Sequence, residues 1–160
     1  MVKVKKLHKD AILPVRNFPL DAGADLFSVE NVTIPPQGRY FVDTGIAIQA
    51  TDKDQTVSWY YDLESGGNKE VLVRSYFRIA PKSGLAFKSG IMILAGIADL
   101  GYTDSLKVGI YNAGDSDFVI TQGMKIAQLV REVCIMDNFV EVDSLEDTDR
   151  GVGGFGSTGN

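Results

Sequence analysis

Histidine and cysteine are nearly missing from this chain: 160 residues hold one histidine, His8, and one cysteine, Cys134. A zinc centre or a Ser-His-Asp triad would have to use His8, which sits in the charged run MVKVKKLHKD and is expected to be exposed. Cys134 has no partner for an internal disulfide, which fits a reducing compartment. It lies in the apolar run 129–136 and reads as a small core residue. There is no run of about 18 apolar residues, so no membrane-spanning helix is expected. The N-terminus lacks the apolar centre of a signal peptide. Positive charge is in deficit: the net charge of −5 argues against a nucleic-acid coat or a membrane-surface binder. It leaves an anionic ligand open, because local lysines and a metal ion can neutralise one. The expectation is a cytoplasmic protein with no membrane partner and no direct nucleic-acid contact.

Long helical patterns are missing too, and what is present is a series of short strands. Residues 1–7 alternate apolar residues with lysine, as an edge strand does. Residues 11–18 are irregular. Residues 31–34, the turn Pro35-Pro36-Gln37-Gly38 and residues 40–48 read as strand, turn, strand. Residues 51–78 read as a hairpin with Gly66-Gly67 near its tip and the aromatics Trp59, Tyr60 and Tyr61 on one arm. Residues 94–112 read as two strands joined at Asp99-Leu100-Gly101, with Leu106, Val108 and Ile110 alternating on one face of the second. Residues 118–121, 123–130 and 133–142 give three more strands. Residues 143–149 form an acidic linker, and 150–160 a tail with five glycines that cannot build a core and is expected to be flexible. Frequent turns between short strands indicate one all-β domain over 1–160, a jelly roll or distorted barrel.

Several residues carry both a chemical and a plain structural reading. Asp99 can act as a base at the mouth of a pocket between hairpin arms, with Tyr102 as its wall; it also suits an ordinary turn. Asp25 interrupts an apolar strand, where a charge is costly unless paired or functional. Ser83 falls near the start of a short helix after Pro81-Lys82, where free amides favour an anion; the spacing is not that of a Walker A loop. Gln128 is polar in an apolar run and needs a partner, protein or ligand. In the tail, Arg150 can fork onto phosphate, glycine amides can wrap phosphate oxygens, and Phe155 can stack on a flat ring.

Five segments stand in one order: AGADLFS, PKSGLAFKSGI, AGIADLGY, GMKIAQLV and RGVGGFGSTG. Together they resemble the five motifs of the trimeric dUTPase family over nearly the whole chain. The resemblance implies a jelly-roll-like β-barrel assembled as a homotrimer, with sites shared between subunits and a glycine-rich C-terminal arm that closes over them. It implies hydrolysis of dUTP to dUMP and pyrophosphate with Mg²⁺. By this resemblance Asp99 orients the attacking water and Tyr102 packs under the deoxyribose. Asp25 acts on the metal side through water. Ser83, Gly84 and Gln128 lie on the phosphate side. Gly96 and Lys107 belong to the substrate-binding third motif, and Arg150, Phe155, Gly156, Ser157 and Thr158 to the arm.

The chain also departs from the family pattern. Lys82 replaces the usual arginine, Ala98 a usual isoleucine, Gly101 a common aspartate, and Thr103-Asp104 the usual Arg-Gly. The 51–78 stretch is longer than the usual connection and resembles inserts in phage-encoded members, which suggests a site for a protein partner. Two other readings compete. A related dCTP deaminase carries a glutamate ten residues after the aspartate, where this chain has Gly109. A nucleotide-gated regulatory binder would use the same fold without requiring turnover.

Overall fold

The computed structural model describes residues 1–50, 56–62, 66–149 and 151; over 56–62 and 68–72 the description is of the backbone. Among these residues the alternating pattern resolves into twelve strands and one short helix. They are β1 (Val2–Lys6), β2 (Gly23–Phe27), β3 (Val32–Ile34), β4 (Arg39–Asp43), β5 (Ile46–Ala50), β6 (Thr56–Asp62), β7 (Gly67–Ala80), α1 (Ser83–Ser89), β8 (Ile91–Leu94), β9 (Ile97–Ala98), β10 (Lys107–Asn112), β11 (Phe118–Ile120) and β12 (Lys125–Ile135). All pairings are antiparallel. One sheet runs β2-β12-β7-β6, with β9 added to the edge of β7; a second runs β4-β10-β8; β1-β5 and β11-β3 form two-stranded ribbons. The all-β, jelly-roll-like expectation holds.

The core is made mostly of β-branched and leucine side chains, which pack well on pleated surfaces. Val42, Ile46, Val108, Ile110, Ile120 and Ile126 are fully buried, and Leu26, Ile34, Ile91 and Leu106 nearly so. The alternation of Leu106, Val108 and Ile110 therefore marks the core face, as expected. Asn112 is also fully buried. Its side-chain amide donates to the carbonyls of Ile34 and Ser116, both at 2.9 Å, and its oxygen accepts from the Gly114 amide at 3.0 Å. With every polar atom partnered, burial carries little penalty, and the residue ties β3 to the turn after β10.

Four expectations need correction. Residues 40–48 are two strands, because Gly45 takes a left-handed conformation with φ of 64° and turns the chain between β4 and β5. Residues 94–98 are not one arm of a simple hairpin. Ala95 has φ of 51°, so the chain leaves β10 after Leu94 and adds Ile97 and Ala98 to β7 instead. At that switch the Ile79 amide donates to the Gly96 carbonyl at 2.7 Å, and a Cβ on Gly96 would lie 2.9 Å from the Ile79 oxygen. Residues 123–142 hold one strand in place of two, β12 over Lys125–Ile135, which continues through Arg131-Glu132 because β7 stays beside it as far as Val73 opposite Ile135; among the described residues no strand follows it. Cys134 lies on this ribbon, half-buried outside the core.

The 51–78 hairpin is present as β6 paired with the first half of β7, from Thr56 opposite Val73 to Asp62 opposite Gly67. Residues 51–55 lie outside the description, as do the side chains of Trp59, Tyr60 and Tyr61. Gly109 lets the central strand approach its neighbours closely: a Cβ there would sit 2.8 Å from the Leu94 carbonyl oxygen and 3.1 Å from the Phe41 ring. Overpacking of a well-fitted interior costs roughly 1–3 kcal/mol. Gly109→Ala is expected to lower the unfolding free energy by about 1–3 kcal/mol, read as a lower urea midpoint, and an unchanged midpoint would contradict the close β8–β10 approach.

Candidate active site

The third-motif loop forms a pocket of about 330 Å³, lined by Phe41, Ile79, Ala95, Ile97, Ala98, Asp99, Tyr102, Leu106 and Lys107. That volume is in the range of small-molecule sites, and apolar walls with a few polar groups at the rim are their usual make-up. β9 delivers Asp99 to the rim. A turn follows, closed by the Tyr102 amide donating to the Asp99 carbonyl at 3.0 Å. The Asp99 carboxylate is exposed and takes no hydrogen bond or ion pair from the described residues. Tyr102 stands at the side, its hydroxyl donating to the Ser105 carbonyl at 3.0 Å. Lys107 reaches the same rim from the start of β10. The structure thus places Asp99, Tyr102 and Lys107 on one pocket, with Gly96 at the chain switch between two lining residues.

A second group forms on the other edge of β7. β12 lies between β2 and β7, so Gln128 stands opposite both Asp25 and Ala80. Lys82 and Ser83 come next after β7 ends. Asp25 is 4% exposed, and both of its carboxylate oxygens are taken. Oδ1 accepts from Lys82 Nζ in a short contact; Oδ2 pairs with Lys125 Nζ at 2.7 Å and accepts from Asn17 Nδ2 at 3.0 Å. Asn17 in turn accepts from Lys125 at 2.9 Å. Burial pushes the Asp25 carboxyl up, but hydrogen bonds from Lys125, Lys82 and Asn17, with the Lys82 charge, outweigh it and hold the pKa below the ordinary 3.8. The charge in the strand is therefore paired.

Gln128 finds its partner in the Pro81 carbonyl, to which Nε2 donates at 2.9 Å. Gly23 leaves room for it: a Cβ there would lie 2.3 Å from Gln128 Oε1. Ser83 and Gly84 begin α1, both exposed, with open space beside Gly84. Gly90 ends the helix with φ of 66°, the left-handed stop that glycine favours.

The two groups share no lining residue and no hydrogen bond among the described residues. Arg150, Phe155, Gly156, Ser157 and Thr158 lie outside the described residues. Sequence reading missed Phe41, Ile79, Leu106, Asn17 and Lys125. Phe41 and Ile79 are ordinary apolar strand residues that the sheets bring to the pocket, and Leu106 is an apolar residue at the end of the loop before β10. Lys125 stands inside the fourth-motif segment GMKIAQLV, where nothing local points to its partners.

Fold and site together define a small β-barrel protein with a loop-built pocket and a lysine-clamped carboxylate beside a short helix. The dUTPase family model matches residues 71–159. The chain is 42% identical over 156 residues to the deoxyuridine 5'-triphosphate nucleotidohydrolase of Paramecium bursaria Chlorella virus 1, covering 98% of this chain and 96% of the relative. It is 37% identical over 161 residues to the enzyme of the same name from Saccharomyces cerevisiae, covering 100% and 95%. The solved Staphylococcus bacteriophage 80alpha dUTPase with dUPNHPP superposes with a TM-score of 0.79 at 26% identity, covering 100% of this chain and 99% of that one. The chain belongs to the dUTPase family.

Proposed function

We propose that this protein hydrolyses dUTP to dUMP and pyrophosphate, with Mg²⁺ and as a homotrimer. The observation that carries the reading is the third-motif pocket, apolar inside, with the Asp99 carboxylate, which has no partner among the described residues, at its rim and Tyr102 at its side. Breaking a phosphoanhydride needs an oriented water and charge neutralisation more than covalent chemistry. Asp99 accepts a hydrogen bond from the attacking water and takes its proton. Tyr102 packs beneath the deoxyribose and leaves no room for a 2′-hydroxyl. Lys107 and the backbone around Gly96 hold the nucleoside end. Lys82, Ser83, Gly84 and Gln128 receive the phosphates, and the arm residues Arg150, Phe155, Gly156, Ser157 and Thr158 close over the nucleotide.

Among the described residues no group of three or more carboxylate, histidine or cysteine side chains could cage a metal ion. Both Asp25 oxygens are occupied, so direct ligation there does not fit. Contact through a water does fit, because Lys82 is 26% exposed and can turn aside. Mg²⁺ commonly keeps waters and is bound through substrate phosphates, where it neutralises charge. Separation of the two groups by β7 supports sites completed by a second copy. So does the exposed apolar run of Phe139, Val140, Val142 and Leu145. The deaminase alternative is disfavoured by Gly109, where a Cβ already meets backbone at 2.8 Å.

The test is pyrophosphate release with Mg²⁺ from dUTP, dCTP, dTTP and UTP, side by side. Release from dUTP alone is expected. Equal release from all four would replace the reading with a broad nucleotide hydrolase, and no release from folded protein with a regulatory binder. No helix among the described residues is long and apolar enough to cross a membrane.

A further inference from the structure

We infer that Ser105, anchored by Asp43, is a positioning residue that sets the sugar selectivity of the site through Tyr102, resting on the reading of Tyr102 as the wall beneath the deoxyribose. Tyr102 is 45% exposed and stands on a loop, 99–106, outside any strand or helix. A ring so placed excludes a single hydroxyl only if its position is fixed, since a shift of about 1 Å can undo a designed fit. Its one side-chain hydrogen bond runs to the Ser105 carbonyl. What holds Ser105 therefore holds the ring.

Ser105 is tied to the barrel by its hydroxyl, which donates to Asp43 Oδ1 at 2.5 Å. Asp43 closes β4 and is itself fixed on two sides. The same Oδ1 accepts the Gly45 amide at 2.7 Å, and the Asp43 amide donates to Glu30 Oε1 at 2.7 Å. The next residue secures the loop end: Thr44 Oγ1 donates to the Leu106 carbonyl at 2.5 Å, and the Leu106 amide donates to the Ile46 carbonyl at 2.8 Å. Leu106 is 2% exposed and also lines the pocket. A continuous route thus runs from β4 through Asp43 and Ser105 to the Tyr102 hydroxyl, and of these residues Tyr102 alone lines the pocket.

The experiment compares kcat/KM for dUTP and UTP in the full chain and in Ser105→Ala, Ser105→Thr, Tyr102→Phe, Tyr102→Ala and the Ser105→Ala/Tyr102→Phe double variant. Ser105→Ala is expected to lower the dUTP:UTP preference about tenfold while kcat for dUTP stays within about threefold of the parent. Ser105→Thr, which keeps the hydroxyl, restores the preference. Tyr102→Phe keeps the ring but releases it, and behaves like Ser105→Ala. Because the two act on one route, the double variant loses no more than the worse single. An unchanged preference in Ser105→Ala, alongside its collapse in Tyr102→Ala, would overturn the Ser105 assignment alone. A preference that survives Tyr102→Ala would overturn the reading of Tyr102 and the Ser105 assignment with it. Additive losses in the double variant would show separate routes and overturn the coupling.

Discussion

Asp99→Asn is expected to cut kcat for dUTP about a thousandfold and leave nucleotide affinity within about threefold, because general-base contributions run to roughly 10²–10⁴. The substitution keeps shape and pocket lining. It replaces an oxygen that can take a proton with an amide that cannot. The structure makes this a clean experiment, since the Asp99 side chain pairs with no other residue among those described. Removing its charge strands no buried partner and breaks no fold contact, so a rate loss reports chemistry. Single-turnover pyrophosphate release and calorimetric binding of a non-hydrolysable dUTP analogue separate the two quantities. A variant retaining a tenth of the parent rate would move the base role elsewhere. A matched fall in affinity would instead assign Asp99 to substrate binding.

The contrast between Asp99 and Asp25 shows what was legible in the sequence. The Asp99 to Tyr102 stretch acts through a local turn, and its spacing already put both residues at one pocket rim. The strand alternation of 106–110 was legible for the same reason: period two on one face needs no knowledge of the rest of the chain. Asp25 was different. Its polarity in an apolar strand demanded a partner, but the partners are distant in sequence: Lys82 is 57 residues away, and Lys125 reaches Asn17 across 108. Only the register of β12 between β2 and β7 brings them together. The left-handed Ala95 was hidden because Gly96, next to it, looks like the residue that would take such a conformation. Gly96 is needed instead for close approach to Ile79. Residues 133–142 misled because Val133, Ile135, Val140 and Val142 carry strand-like composition, whereas a strand also needs a neighbour. The pairing of β12 with β7 ends at Ile135 opposite Val73, and beyond that point β7 pairs with β6 alone.

The lysine clamp on Asp25 leads to the other large effect, on stability. Breaking a buried ion pair from one side costs about 3–5 kcal/mol. Here the lysines keep water, with Lys82 at 26% and Lys125 at 41% side-chain exposure, so solvent screening reduces the figure. Asp25→Asn is expected to lose about 2 kcal/mol near neutral pH, read as a lower urea midpoint. The pH dependence follows from the direction of the shift. The Asp25 pKa lies below its ordinary 3.8 when folded, so the carboxylate contributes fully above the unfolded value. That contribution is lost as pH falls through the lower folded value, where the carboxyl takes up its proton. The difference between parent and variant should therefore stay constant from neutral pH down to about 5 and shrink steadily below about 4. A gap that persists unchanged at the lowest pH where both remain folded would mean that shape and hydrogen bonding, not charge, hold this corner of the barrel. A gap absent at neutral pH would mean that the two lysines are no better off beside the carboxylate than in water.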